Sequence, residues 1–297
     1  MKRIIILATC LLILASSGAQ QVKSFKTTDG ETLFYTTKGA GPKVILLYGG
    51  PGISAGPMLP WADSLSGKFE CIVFDQRGTG LSGNVKLDSI TINLKRSTQD
   101  IDDLRNHLGE RQVTLCGISW GGALAQAYAA FYPDKTKNIV LVCTLGPDLT
   151  LMSAFNDNIN MRRFPNEKDS LRFWNKQPDS ELSKMKRNFF SFLPDFYDHN
   201  SGYKMLPKFF SAATFHDRMS DLMWEDLSKS YNLVSELKDY KGKCTIIKTR
   251  QDVMPEETVY RIKNILPQTE IRTIERCGHF PDYERPKELF SLLRKAL

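Results

Sequence analysis

The chain has no internal repeat, no low-complexity tract and no cluster of metal ligands. Its six cysteines form no Cys-x-x-Cys pair, and its four histidines form no His-rich cluster, so a metal site has no support in the sequence. The 297 residues are 41% hydrophobic and 25% charged, which is ordinary globular composition. No motif implies a cofactor either. The sequence therefore predicts a folded protein whose function rests on its own side chains.

Charge of one sign is not concentrated anywhere in the chain. Forty basic and 33 acidic residues give a net charge of +7, and no basic helix or aromatic-interleaved recognition motif is visible. Charge dispersed in this way indicates surface attraction to anionic material rather than a nucleic-acid groove. We expect a small substrate and no nucleic-acid partner, while the oligomeric state stays open.

The chain has no apolar run long enough to cross a membrane, and the longest run lies near the start. Two basic residues precede the segment "IIILATCLLILA", and small polar residues follow it. This order predicts a secretory signal peptide over residues 1–19, with Ser17 and Ala19 at the −3 and −1 cleavage positions. The run is shorter than the roughly 20 residues that a membrane span needs. We expect an exported protein, secreted or periplasmic, with no integral membrane segment after cleavage.

Short buried-strand patterns recur along the rest of the chain. The apolar runs are "KVILLY", "FECIVFD", "QVTLCG", "NIVLVCT" and "CTIIKT", with helical patterns between them and a hairpin turning at Asp29-Gly30 before them. Continuous apolar strands that alternate with helices predict an α/β fold with a mostly parallel sheet and helices on both faces.

One segment interrupts this alternation. Residues 148–231 contain no convincing buried strand but are rich in aromatic residues. We interpret the segment as a helical cap inserted into a core formed by residues 20–147 and 232–297. Most of its aromatic side chains should form the core of the cap, and the others could line a pocket against the sheet.

The segment "CGISWGGALAQAYAA" places Ser119 in a G-x-S-x-G pattern between a predicted strand and a predicted helix. Glycines on both sides let backbone pass close to such a corner, where a Cβ would clash. A serine held in this way is exposed and can act as a nucleophile. We therefore predict that Ser119 is a catalytic nucleophile.

A serine nucleophile needs a base and an acid that orients the base. His279 follows the last predicted strand, in a loop that could place its imidazole over Ser119. Asp252 follows another strand and is the predicted acid. Glu256 and Glu257 are local alternatives, but they read as the first turn of a helix.

The oxyanion of an acyl-transfer reaction needs backbone donors. The amide of Trp120, directly after the nucleophile, is one candidate. The loop "LLYGGPG" supplies the second, for which we choose the amide of Gly50 because Pro51 has no N–H.

Three motifs resemble the prolyl aminopeptidase (proline iminopeptidase) family of α/β-hydrolases. They are "YGGPG" at 48–52, "DQRGTGLS" at 75–82 and "GISWGG" at 117–122. The resemblance implies the α/β-hydrolase fold, structural roles for Asp75 and Arg77, and a serine hydrolase that releases N-terminal proline or another small residue from peptides.

The chain departs from that family at two places. Tyr48 stands where the family usually has histidine. The cap segment "FWNKQP" lacks the glutamate that the family uses to bind the substrate's ammonium group, and Glu225 in "MWED" is the displaced candidate for that role. A carboxylesterase acting on small apolar esters is the alternative enzyme, and a non-catalytic ligand-binding protein on the same fold is the alternative from another class.

Overall fold

The computed structural model describes residues 20–297, and the predicted signal peptide lies outside this range. The strands are β1 (Gln21–Lys26), β2 (Thr32–Lys38), β3 (Lys43–Leu47), β4 (Glu70–Phe74), β5 (Val113–Ile118), β6 (Thr136–Val142), β7 (Lys243–Thr249) and β8 (Glu270–Ile274). The helices are α1 (Leu59–Leu65), α2 (Leu94–His107), α3 (Trp120–Phe131), α4 (Met152–Arg162), α5 (Pro165–Asn175), α6 (Glu181–Phe192), α7 (His199–Ala212), α8 (Asp217–Ser230), α9 (Glu257–Ile265), α10 (Pro281–Glu284) and α11 (Pro286–Ala296).

All eight strands form one sheet in the order β1-β2-β4-β3-β5-β6-β7-β8. The first two strands are the predicted hairpin and pair antiparallel, as do β2 and β4. The other neighbours, from β4 to β8, pair in parallel. The predicted α/β fold with a mostly parallel sheet is confirmed.

Both faces of the sheet are covered, because side chains along each central strand alternate between two apolar clusters. In β3, Ile45 and Leu47 belong to the cluster that includes residues of α2, α3 and α9, whereas Val44 and Leu46 belong to the cluster that includes residues of α1 and α11. Burial on both faces explains why the central strands read as uninterrupted apolar runs.

A side-chain cap fixes the start of α2, which begins at Leu94. The side chain of Asn93 accepts a hydrogen bond from the Arg96 amide at 2.8 Å and caps the first turn. An asparagine cap satisfies an otherwise unpaired amide at the start of the helix.

Five helices, α4 to α8, lie between β6 and β7, and we refer to residues 148–231 as the helical insertion. The carboxyl ends of parallel strands meet at one edge of a sheet, and the loops after β5, β7 and β8 therefore share the edge beside this insertion. Within residues 20–297, the structure contains no helix with both the length and the apolar character needed to cross a bilayer.

Candidate active site

Ser119 forms the corner between β5 and α3. Its backbone has φ 56° and ψ −121°, a conformation that residues with a Cβ rarely adopt. Such strain costs about 1–3 kcal/mol and persists only where the surrounding structure enforces it. Here α3 approaches β3 so closely that a Cβ on Gly121 would lie 2.1 Å from the carbonyl oxygen of Leu47. The close approach holds Ser119 at the edge of the sheet, where its side chain lines a pocket.

Two backbone amides beside Ser119 are free to donate. Gly50 has φ 119°, which a glycine adopts without strain, and it lines the same pocket as Ser119. Trp120 is the first residue of α3, where helix geometry leaves amides without an intrahelical acceptor. Across residues 20–297, neither amide has an internal hydrogen-bond acceptor. Both are therefore available to an oxyanion.

The structure places Asp252 and His279 in direct contact. Asp252 Oδ1 accepts a hydrogen bond from His279 Nδ1 at 2.7 Å, and both side chains are less than 10% exposed. The same carboxylate oxygen accepts the Met254 amide at 3.0 Å, and the His279 amide donates to the carbonyl of Asp195 at 2.6 Å. Because Asp252 accepts at Nδ1, that nitrogen carries the proton, and Nε2 of the neutral ring is free to accept one.

Burial and mutual attraction act in opposite directions on this pair. Burial alone would raise the pKa of Asp252, but the adjacent His279 ring, through its charge and hydrogen bond, holds that pKa below its ordinary value. Burial likewise disfavours the imidazolium, yet Asp252 outweighs it and raises the pKa of His279 above its ordinary value. Asp252 therefore stabilises a positive charge on His279, as a general base requires when it takes up a proton.

Ser119 and His279 line one pocket, of about 40 Å³, without a direct hydrogen bond between their side chains in the described part of the chain. Such contacts often stay long in unliganded sites and shorten when substrate binds. The other lining residues are Tyr48, Gly49, Gly50, Ile53, Ile118, Phe192, Phe209 and Phe280. The pocket is thus lined by apolar and aromatic side chains around the serine and the histidine.

The two alternative acids do not contact His279. Glu256 forms ion pairs with Lys248 and Arg250. Glu257 is exposed and begins α9. Asp252 is therefore the carboxylate that the structure brings to the histidine.

Glu225, the candidate for binding an ammonium group, does not reach the Ser119 pocket. Its side chain is 56% exposed on α8 and pairs with Lys229 at 2.7 Å, one helical turn away. Burial of Met223 and Leu227 shows which face of α8 packs inward, and Glu225 lies on the other face. The preceding residue, Trp224, lines a cavity beside the pocket instead.

Asp75 and Arg77 contact other parts of the chain rather than the pocket. Asp75 accepts the Ala55 amide at 2.9 Å, which ties down the loop after Gly50. Arg77 is buried and donates to Asp29 and Asp100, each at 2.8 Å. Burial of the guanidinium with two carboxylates makes this a support for the loop between β4 and α2.

The sequence analysis did not identify Gln76, which lies between Asp75 and Arg77. Its buried side chain donates to the carbonyl of Tyr48 at 3.1 Å and accepts the indole N–H of Trp120 at 2.8 Å. Gln76 thus joins the two segments that present the free amides. The signal was available, since Gln76 lies inside the "DQRG" motif, but its partners are 28 and 44 residues away.

Arg162, at the end of α4, was also missed. Its guanidinium donates to the carbonyl of Gln251, the residue before Asp252, and to the carbonyl of Phe196 at 2.9 Å. Since Phe196 follows the residue that accepts the His279 amide, Arg162 links the acid loop to the segment that holds the histidine loop.

Glu284 makes a second link between the insertion and the histidine loop. Its carboxylate accepts the amide of Gly278 at 2.6 Å, and it also accepts the amides of Tyr197 and Asp198 at 3.2 and 3.0 Å. No sequence pattern marks this role, because all three contacts are to backbone.

Three potential metal ligands, Cys143, Asp252 and His279, offer atoms within 4.8 Å of one another. Burial raises the pKa of Cys143 well above its ordinary value, so the thiol is neutral in the absence of a bound cation. The ligand atoms of Asp252 and His279 already bond to each other. The hydrogen bond between Asp252 and His279 therefore accounts for the short distances within this group of residues.

Comparison with known proteins agrees with the fold. The model of a family described as "alpha/beta hydrolase fold" matches residues 42–286. The chain is similar to a proline iminopeptidase of Heyndrickxia coagulans, with 24% identity over 90% of this chain and 94% of the relative. It is also similar to a 2-hydroxy-6-oxo-2,4-heptadienoate hydrolase of Pseudomonas putida, with 23% identity over 87% and 90% of the two chains.

Among solved structures, an alpha/beta fold family hydrolase from Bacillus anthracis superposes with a TM-score of 0.75. The match covers 94% of this chain and 99% of the other at 18% identity. At this identity the likeness supports the fold.

Proposed function

The chain belongs to the α/β-hydrolase family, and we propose that it is a serine hydrolase with Ser119 as nucleophile, His279 as base and Asp252 as the acid that orients the base. The observation that carries the proposal is the 2.7 Å contact of Asp252 with His279 beside a pocket that Ser119 also lines. A strained serine, an oriented imidazole and two unpaired amides then meet at one edge of the sheet.

In the proposed reaction, His279 Nε2 removes the proton from Ser119 Oγ, and Oγ attacks the carbonyl carbon of the substrate. The amides of Gly50 and Trp120 donate to the oxyanion of the tetrahedral intermediate. Collapse breaks the bond to the leaving group, which takes the proton from His279. A water molecule then hydrolyses the acyl-enzyme by the same steps, and Asp252 stabilises the imidazolium in each half-reaction.

For the substrate, we propose a peptide with N-terminal proline or another small residue. The support is the resemblance of the three motifs and the name of the H. coagulans relative, which is similar along almost its whole length. A charged amine costs several kcal/mol to bury without a partner, so this substrate requires an acceptor near the acyl group.

A small apolar ester is the second candidate, favoured by a different observation. Among residues 20–297, those that line the Ser119 pocket include no carboxylate, and Glu225 is exposed on the outer face of α8. An uncharged substrate would suit such a pocket without an ion pair.

Two measurements test these proposals. A fluorophosphonate probe should label the wild-type protein at Ser119 and not a Ser119→Ala variant. Absence of labelling in the wild type would favour a non-catalytic binding protein. Turnover of proline p-nitroanilide, its N-acetyl form and p-nitrophenyl acetate separates the substrates. Preference for the free amine supports the peptidase, whereas ester hydrolysis without anilide turnover contradicts it.

We also propose that the protein is exported and that its mature form begins at Gln20. The support is the order of basic, apolar and small polar residues before that position. Intact mass of protein recovered from the periplasm or medium of an expressing bacterium tests the proposal. Retention of Met1 there would contradict it.

A further inference from the structure

Residues 214–216 of the helical insertion, between α7 and α8, contact the loop that follows β3. We refer to that loop, residues 48–56, as the oxyanion loop, because it includes the proposed donor Gly50. Ile53 of this loop and Phe215 of the insertion form an antiparallel β-bridge. The two backbone segments therefore lie side by side, as neighbouring antiparallel strands do.

Three hydrogen bonds flank this bridge. The amide of His216 donates to the carbonyl of Gly52 at 2.8 Å, and the amide of Ser54 donates to the carbonyl of Thr214 at 3.0 Å. The amide of Thr214 in turn donates to the hydroxyl of Ser54 at 2.9 Å. The approach is close, since a Cβ on Gly52 would lie 2.8 Å from the carbonyl oxygen of His216. A shift of this part of the insertion would therefore move the oxyanion loop with it.

The ring of His216 contacts a second loop of the core. Its Nε2 accepts the amide of Gly80 at 3.1 Å, and the hydroxyl of Thr214 lies 3.2 Å from the same nitrogen. A ring nitrogen that accepts an N–H carries no proton, so the proton of the neutral ring is on Nδ1. Gly80 lies in the loop between β4 and α2, whose Gln76 donates to the carbonyl of Tyr48. His216 thus connects the oxyanion loop to the loop that contains Gln76.

The oxyanion loop needs such external contacts because its own backbone is permissive. Gly50 and Gly52 have φ of 119° and 89°, in a region that glycine enters without strain and where no Cβ limits the conformation. An oxyanion donor acts only when it points at the position of the developing charge, and loss of one donor lowers kcat about 10²- to 10³-fold. The hydrogen bonds around the loop therefore determine how well the Gly50 amide is aimed.

We propose that His216 is a positioning residue, which holds the oxyanion loop against the loop of Gln76 and so orients the Gly50 amide. The proposal rests on the proposed function, because that amide acts as an oxyanion donor only in acyl transfer at Ser119. Among residues 20–297, those that line the Ser119 pocket do not include His216. We therefore expect its loss to lower kcat rather than to raise KM.

The kinetic test replaces the acceptor nitrogen of the ring. His216→Leu leaves the Gly80 amide without its acceptor, whereas His216→Gln supplies an amide oxygen at a similar reach. On whichever of proline p-nitroanilide and p-nitrophenyl acetate wild type turns over, we expect His216→Leu to lower kcat about 10- to 100-fold, with KM within about 2-fold. His216→Gln should recover most of this loss. His107→Leu is the matched control, because it removes an exposed histidine of α2 that contacts the Tyr35 hydroxyl at 3.1 Å, and it should leave kcat unchanged.

Hydrogen exchange measured by mass spectrometry tests the hold on the loop without any turnover. The amides of residues 48–56 should exchange faster in His216→Leu than in wild type or in His216→Gln. Unchanged exchange would overturn the proposal, and so would an unchanged kcat, a change in KM alone or a loss that His216→Gln does not recover. If wild type is inactive and a fluorophosphonate does not label it, the proposed function fails, while faster exchange in His216→Leu would still support the hold on the oxyanion loop.

Discussion

The sheet and the helical insertion meet at the Ser119 pocket, but they are packed very differently. Every residue of β5, which leads into Ser119, is buried. In the insertion, α4 has no buried residue, and α5 and α6 have one each. Several large apolar side chains in these helices or next to them are more than 40% exposed, namely Met161, Phe164, Phe173, Leu182 and Met185.

This difference indicates how each region contributes to the site. Dense packing on both faces of the sheet fixes the ends of its strands, which is where a reacting group needs a defined position. The insertion contacts those loops through polar bonds, those of Arg162 and Glu284 among them, and through aromatic packing, since the ring centroids of Phe196 and Phe280 are 5.0 Å apart. We infer that the sheet supplies the reacting groups and that the insertion positions two of their loops and shapes the space around the substrate.

The largest effect should come from Ser119, which directly follows the fully buried strand β5. We expect Ser119→Ala to keep the fold and to lower kcat by up to about 10⁶-fold, because a nucleophile and its base act as a unit. Circular dichroism and thermal unfolding check the fold, and steady-state kinetics check the loss. A fully active variant would show that the nucleophile is a residue other than the serine at the end of β5.

Asp252→Asn should have the next largest effect, a loss in kcat of about 10⁴-fold. An asparagine amide that donates to Nδ1 favours the tautomer with a proton on Nε2, which cannot accept the proton of Ser119. Since Asp252 raises the pKa of His279 and the base must be neutral, wild-type activity should rise as pH increases through that raised pKa. In the variant, the rise in residual activity with pH should occur at a lower pH than in wild type, because no carboxylate raises the pKa of His279. An unchanged pH profile with full activity would exclude Asp252 as the acid.

Arg162→Met tests whether the insertion positions the acid and histidine loops. Methionine has an unbranched side chain of similar length, but it lacks the N–H groups that donate to the carbonyls of Gln251 and Phe196. We expect kcat to fall by up to about 100-fold with a smaller change in KM, since slight misplacement of a catalytic group has effects of that size. Arg162→Lys should recover part of the activity. Wild-type kcat in Arg162→Met would show that the sheet alone holds these loops.

The parts of the molecule that could be predicted from sequence are those with local signals. The apolar strands, the corner at Ser119 and the polar groups after β7 and β8 are each visible within a few residues. The partners of Gln76 and Arg162 could not be found in this way, because these side chains act on backbone groups 28 to 89 residues distant. Nothing in a side chain's own neighbourhood along the sequence identifies the carbonyl that it will meet.

Glu225 illustrates the opposite case, in which a local signal points to a residue that the structure places on the exposed face of its helix. Its position after a tryptophan suggested an ammonium site, but Met219, Leu222, Met223 and Leu227 mark the buried face of α8 and leave Glu225 outside it. The helical period of these residues was present in the sequence and predicts the exposed position.

The smallest expected effect is therefore that of Glu225→Gln. Its partner Lys229 is also exposed, and such pairs contribute little because solvent screens them. We expect kcat/KM for proline p-nitroanilide and for p-nitrophenyl acetate to stay within about 2-fold of wild type. Glu284→Gln is the matched control, since the same substitution there weakens a carboxylate that accepts three backbone amides and should lower kcat on any substrate turned over. A loss specific to the free-amine substrate in Glu225→Gln would place an ammonium site on the outer face of α8 and would mean that the insertion recognises substrate far from the pocket.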